Sequence, residues 1–431
     1  MRVQLGTAPQ LTALRRRLGA AACLLVAAGA RSASAADAAP KWQLDGAALF
    51  YGEKGRVKVI EPQARITRFF EDGQILSATV GLDAITGASP TGAAPSTSIQ
   101  TTTNASGGVT TEQAGTVPVR QFNDTRIAMD LEWVRPLGHW LIPSLGAHAS
   151  IEGDYRSLGG SAKVSVPLMH ELTTITLGAG YNEDRVDPNG GTHAPFTDGS
   201  VPLGTGAEPK RVGSAMAGIS RILTRRWMVG VTGSRSKEHG YLTDPYKVIS
   251  ILDSTNEPVG QLTESRPSSR TRNDVLASSV YHLARDIVYA SYRYYSDDWG
   301  VTSHTADARY RLELGNQAFL QPHVRYYFQT RANFFQPGLV QGAPLPEFAS
   351  SDIRLGDLRT LTIGGSYGFH PAGGPGELTI RAEYIRQWDQ STHARADTEE
   401  FEPEDEPSEP SILFYPAIDI GSLVVGYSVP F

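Results

Sequence analysis

SHTADARYRLE, residues 303–313, sets His304, Ala306, Ala308, Tyr310 and Leu312 on one parity and Ser303, Thr305, Asp307, Arg309, Arg311 and Glu313 on the other. A period of two is the strand signal. The next segment repeats it, with Leu320, Pro322, Val324, Tyr326 and Phe328 opposing Gln321, His323, Arg325, Tyr327 and Gln329. In a membrane barrel such alternation sorts residues between lipid and lumen, because Lys or Arg facing the bilayer midplane costs roughly 2–4 kcal/mol. Arg309, Arg311 and Arg325 all fall on the polar parity.

The same pattern runs outward from there in both directions. Leu76, Ala78, Val80, Leu82 and Ala84 oppose Ser77, Thr79, Gly81 and Asp83, and Thr125, Ile127, Met129, Leu131 and Trp133 oppose Arg126, Ala128, Asp130 and Glu132. Leu145, Ala147, Ala149 and Ile151 oppose Gly146, His148, Ser150, Glu152 and Asp154. Sixteen such segments centre near residues 47, 62, 80, 128, 147, 163, 178, 216, 231, 279, 291, 306, 323, 362, 382 and 424. The long connections, 87–121, 185–209, 238–271, 333–352 and 389–416, all follow odd-numbered segments. Connections after even segments are short. An even strand count with short turns at one end and long loops at the other is the pattern of outer-membrane barrels. The expected fold is therefore all-β, a transmembrane antiparallel barrel of about sixteen strands, within a range of fourteen to eighteen.

At the N-terminus Arg15, Arg16 and Arg17 precede an apolar run from Leu18 to Ala30, and Ala33-Ser34-Ala35 follows. This is the layout of a secretory signal peptide, with cleavage expected after Ala35. Residues 1–35 are the signal and 36–431 the barrel domain. The run is too short for a membrane helix. A lipoprotein reading of Cys23 is the lesser alternative because the apolar core continues past it, and a twin-arginine route is set aside because it would carry folded cargo, whereas a barrel crosses unfolded. Losing residues 1–35 removes five arginines and no acid, so the formal charge falls from −6 to −11. That acidity argues against a nucleic-acid partner. Cys23, the single cysteine, leaves with the signal. Disulfides, thiolate metal sites and cysteine catalysis leave with it.

The C-terminal residues Leu423, Val425, Tyr427, Val429 and Phe431 alternate with Ser422, Val424, Gly426 and Ser428. A closing strand that ends in Phe resembles the signal read by the barrel-assembly machinery. That machinery, outer-membrane lipid and lipopolysaccharide are the expected partners.

Four segments carry a family resemblance: DAITGASPTGA (83–93), EHGYLTDPYK (238–247), YRYYSDDWG (292–300) and VRYYFQTRANFF (324–335). They are similar to an uncharacterised bacterial outer-membrane family, domain of unknown function 3570, over most of the mature chain. The resemblance implies an outer-membrane barrel and brings no activity or catalytic residue. It also implies a genomic setting beside thioredoxin-like, flavin-transferase and small lipoprotein genes, hence a redox- or flavin-related export role. No flavin motif is present, and no cofactor is expected.

Each motif also has a local reading. Ser89-Pro90, Gly87 and Gly92 suit tight turns anchoring a long loop, with a plug as the alternative. Asp297-Asp298-Trp299-Gly300 reads as a hairpin turn with an interfacial Trp rather than a metal site. Tyr241 and Tyr246 are placed in an aromatic girdle, with an inward-folded loop narrowing the pore as the alternative. The acidic run Asp397 to Glu409 reads as a solvated loop. Loose Ca²⁺ binding, or bridging to lipopolysaccharide through divalent ions, is the competing reading. Asp184, Asp187, Asn189 and Gly190 depart from the calcium-loop spacing, so no metal is assigned.

Expected lumen-lining charges are Arg293, Asp307, Arg309, Arg311, Glu313, Arg325 and Arg331 on neighbouring strands, with Asp130, Glu132, Glu152 and Asp154 on strands four and five. They could orient small polar solutes in a channel or export pore. They could equally form salt bridges that stiffen the interior. A docking barrel for periplasmic or surface components is the second function class. Catalysis is the third and is not expected: His148 to Asp154 spans about 20 Å along one strand, too far for a triad with Ser150. Ser303 and His304 point to opposite faces. Oligomeric state is not legible.

Overall fold

The computed structural model describes residues 41–431 except 97–99, 104–108, 113–115, 199–201, 205, 316, 372–373 and 390–416. Residues 1–35, expected to be a signal peptide, and the acidic run 397–409 lie outside the described residues.

Sixteen antiparallel strands close into one barrel. They are β1 (Trp42–Glu53), β2 (Val57–Phe69), β3 (Ile75–Pro90), β4 (Val119–Val134), β5 (Ile142–Ile151), β6 (Tyr155–Leu168), β7 (Thr173–Val186) and β8 (Glu208–Thr224). The second half runs β9 (Trp227–Gly240), β10 (Ser269–His282), β11 (Ile287–Asp297), β12 (Thr302–Leu314), β13 (Ala318–Gln329), β14 (Leu358–Phe369), β15 (Glu377–Asp389) and β16 (Ile418–Pro430). Every strand expected from period two is present, and each pairs with its sequence neighbour. No helix among the described residues is long and apolar enough to cross a membrane. Closure satisfies the backbone without one, since a barrel leaves no strand edge exposed to hydrocarbon.

The seam joins β1 to β16, with Leu44 opposite Val429 and Phe50 opposite Leu423. Trp42 and Phe431 exchange two backbone hydrogen bonds of 2.9 Å. Their rings stack at 6.5 Å. Deleting Phe431 removes both bonds and the stack, worth about 1 kcal/mol per bond and 0.5–1.5 for the ring pair. The truncated chain is expected to give less folded, heat-modifiable barrel on electrophoresis.

One parity of the wall faces outward and is apolar. Ile127, Met129, Leu145, Leu158, Leu177, Ile219, Val231, Val275, Leu320, Val324, Ile363 and Leu423 are large exposed hydrophobic residues on that face. Trp133, Trp227, Tyr281, Tyr310, Tyr367 and Tyr427 are exposed toward the short-turn end, while Phe50, Tyr181, Tyr292, Tyr326 and Tyr384 are exposed toward the loop end. This is an apolar belt between aromatic girdles, the surface of a transmembrane barrel.

Candidate functional site: a charged vestibule under a folded cap

The inward parity carries charge along the whole barrel, but its exposure changes with depth. Toward the short turns some charged side chains are well exposed, Asp130 at 45 %, Arg309 at 44 % and Arg381 at 48 %, beside half-buried Glu132, Lys163, Arg311 and Glu313. Toward the loop end Asp184, Lys210, Glu238, Arg270 and Asp297 are all buried, at 8 % or less. The inward charges are thus more accessible toward the turns than toward the loops.

Register explains who pairs with whom. Asp307 on β12 lies opposite Arg325 on β13. Its carboxylate accepts Arg325 Nε at 2.7 Å and lies 3.3 Å from Arg309 Nε. His323 stands between two acids, Nε2 at 2.9 Å from Asp307 and Nδ1 at 2.8 Å from Glu383. Two carboxylates can both be satisfied there only if both ring nitrogens donate. Arg311 donates to Glu313 at 2.5 Å, Arg293 to Asp274 at 3.2 Å, and Lys163 to Glu132 at 3.2 Å. His148 Nδ1 lies 2.7 Å from Asp130. The inward charges are therefore locally paired rather than gathered into two opposed clusters. Lys163, Asp274, His323 and Glu383 complete the pairs, and sequence reading had not singled them out. Their inward parity was the available signal.

Three expected positions are corrected. Glu152 and Asp154 follow β5 in the turn before β6, where both are buried. There they meet Asp124, the three carboxylates converging within 4.8 Å, and Asp154 accepts the Tyr246 hydroxyl at 3.0 Å. Arg331 lies beyond β13, in the connection to β14, beside Asp357 at 3.8 Å. Alternation was extended past the strand ends in each case.

The cap is built from four long connections. Residues 248–252 and 258–263 from the β9–β10 connection form a three-stranded sheet with 339–340 from the β13–β14 connection. Ser265 and Ala349 exchange backbone bonds of 3.0 Å. Val248 N donates to Thr91 O at 2.9 Å, and Ser351 Oγ to Gly92 O at 2.6 Å, which draws in the connection after β3. Phe196 N donates to Thr263 O at 3.1 Å, tying in the connection after β7. Gly92 has φ +93°, and a Cβ there would meet Val248 O at 2.5 Å, so only glycine permits the approach.

Two kinds of contact fix the cap. Trp299, Val301, Phe334, Phe335, Ile353 and Leu355 form an apolar core with Ile418 and Ile420 of the wall, and Tyr51, Tyr295, Tyr327 and Ile385 pack against it from inward positions. Beside it lies an ionic cluster in which Arg266 donates to Glu264 at 3.1 Å and to Asp352 at 2.8 Å. Arg354 donates to Asp244 at 2.7 Å and to Asp352 at 2.8 Å. Glu264, Asp352 and Lys247 are all buried. Burial pushes the Glu264 carboxyl up and pulls the Lys247 amine down. Burial also opposes ionisation of Asp352, yet the Arg354 and Lys247 charges hold its carboxyl well below the usual range.

These contacts correct two local readings. Trp299 is not interfacial: its indole donates to Ser269 O at 2.8 Å, and the Arg270 guanidinium lies 4.3 Å from its ring. Tyr241 and Tyr246 sit within the cap rather than in a girdle, Arg120 standing 4.1 Å over the Tyr246 ring. Residues 88–94, read as loop anchoring, are buried and do anchor the connection, Thr91 and Gly92 accepting from Val248 N and Ser351 Oγ.

The DUF3570 family profile, described as a protein of unknown function, matches residues 15–406. The chain belongs to this family. No curated protein matches it. Among solved structures, the DUF3570 chain is similar to the siderophore receptor PirA from Pseudomonas aeruginosa at 8 % identity and TM-score 0.38, covering 81 % of this chain and 57 % of the receptor. It therefore spans little more than half of that receptor's length. A bacterial polysaccharide outer membrane secretin gives 8 % identity and TM-score 0.45, covering 92 % of this chain and 100 % of the secretin. The Pseudomonas putida toluene transporter TodX gives 9 % and 0.37, covering 92 % of this chain and 90 % of TodX. With all three scores below 0.5, the fold assignment for the DUF3570 chain rests on its own closed ladder.

Proposed function

We propose that this protein is a passage for small polar or charged solutes across a bacterial outer membrane, with the cap as its gate. The observation that carries this reading is the change in exposure along the inward face: accessible, paired charges in the turn half and a folded, buried closure at the loop end. A solute entering from the turn side would meet a wall of alternating charge, where rings of charged side chains set ion preference. The short turns and both strand termini of the barrel then face the periplasm, and the cap faces outward. The closing strand Leu423 to Phe431 is the segment we assign to recognition by the assembly machinery.

The test is conductance of the purified full barrel in planar bilayers, alone and with Arg309→Glu plus Arg311→Glu. Brief openings that become more cation-selective in the double variant support the passage. Conductance whose ion preference ignores both reversals rejects it. The closed mouth also suits a docking barrel whose cap meets an external partner, and complete absence of conductance under all voltages would favour that second reading.

A further inference from the structure

The outward parity of β6–β9 carries five cations toward the loop end: Arg156, Arg185, Arg211, Arg235 and Lys237. All five are exposed, and they share the outward face with Leu158, Leu177, Ile219 and Val231. Among the described residues none of the five is placed in an ion pair. Within these four strands the outward face offers one acid, Glu183, with Asp187 just beyond β7.

Register sharpens the anomaly. Arg156 stands directly opposite Arg185 across β6 and β7. Like charges directly opposite in a sheet repel and destabilise the pair. Arg211 faces Glu183 on one side and His239 on the other. Lys237 and Arg235 follow on β9, opposite Gly213 and Ala215. In the lumen and the cap, by contrast, cations such as Arg293, Arg325, Arg266 and Arg354 stand beside acids. Here five cations share the lipid-facing side of four strands with a single acid, Glu183, opposite Arg211.

Below Arg211 the outward positions of β8 are small: Gly213, Ala215 and Ala217, before Ile219. A Cβ built on Gly213 would meet nothing within 4 Å. The result is a shallow trough running from the cations toward the apolar belt, with the larger Tyr181 and Leu177 along its β7 side.

We propose that this patch binds a multiply phosphorylated, multi-acyl lipid of the leaflet at the loop end. Its phosphates lie across Arg156, Arg185 and Arg211, and acyl chains follow the trough of β8. Phosphate is the fitting anion because guanidinium groups engage it through paired, charge-assisted hydrogen bonds. An anion between Arg156 and Arg185 converts their repulsion into a bridge. The proposal depends on the transmembrane reading of the wall and is independent of whether the lumen conducts.

The test uses the full barrel in nonionic detergent, titrated with bisphosphorylated lipid A and with the same lipid stripped of phosphate, retention being read by native mass spectrometry. The wild-type barrel is expected to prefer the phosphorylated lipid. The variant R156Q/R185Q/R211Q should lose that preference by about a hundredfold, the loss expected for three cations facing an anionic surface. Ala215→Trp, which fills the trough without changing charge, should weaken binding of both lipids, and Arg221→Gln at the opposite end should change neither. Equal wild-type binding of the two lipids, an unchanged preference in the triple variant, or the same loss in R221Q overturns the proposal.

Discussion

Replacing Asp352 with alanine is expected to open the barrel. Asp352 is buried and accepts from both Arg266 and Arg354, with Lys247 close enough to favour its charge. Removing one partner of a buried ionic cluster leaves the others uncompensated, at a cost of about 3–5 kcal/mol. The wall is continuous without the cap, because all sixteen strands pair in order. The loss therefore falls on the connections 241–268 and 330–357. Larger conductance and new protease cleavage within those connections, in a barrel that stays heat-modifiable, are the expected results. Cleavage without any gain in conductance would show that the cap is not what limits passage.

The second large effect comes from the wall. Val324 is exposed on the outward face of β13, with Ala308 and Ile363 beside it. Val324→Arg puts a guanidinium into the apolar belt and is expected to destabilise the barrel by roughly 2–4 kcal/mol in urea unfolding from lipid vesicles. Gln321→Arg places the same group inward on the same strand and should cost much less. Similar costs for the two would mean that this parity is not lipid-facing.

Most of the wall was legible because period two is a local property. Lumen and lipid require opposite chemistry at adjacent residues, so Asp307 and Ala308 declare their faces without reference to the rest of the chain. Pairing within the lumen was less legible. Parity places Asp307 and Glu383 inward, but the sharing of His323 between them depends on register across four strands, β12 to β15. The cap was the least legible part. Its contacts join residues far apart in sequence, Asp244 with Arg354 and Gly92 with Ser351, and irregular connections have no period that could announce them. Trp299 shows the consequence: a Trp in a hairpin turn looks interfacial locally, and the apolar core that buries it comes from other loops. Arg331, Glu152 and Asp154 show the converse limit, since alternation carries no mark of where a strand stops.

The most direct measurement returns to residues 303–313. Cys23 is the single cysteine, so residues 36–431 contain none. Single cysteines can therefore be placed along β12, spin-labelled, and probed in bilayers with oxygen and a water-soluble nickel chelate. Labels at Ala306, Ala308 and Tyr310 should favour oxygen, and those at Thr305, Arg309 and Arg311 the chelate. Accessibility that fails to alternate, or that favours the chelate at both parities, would contradict a wall that separates lipid from a wet interior.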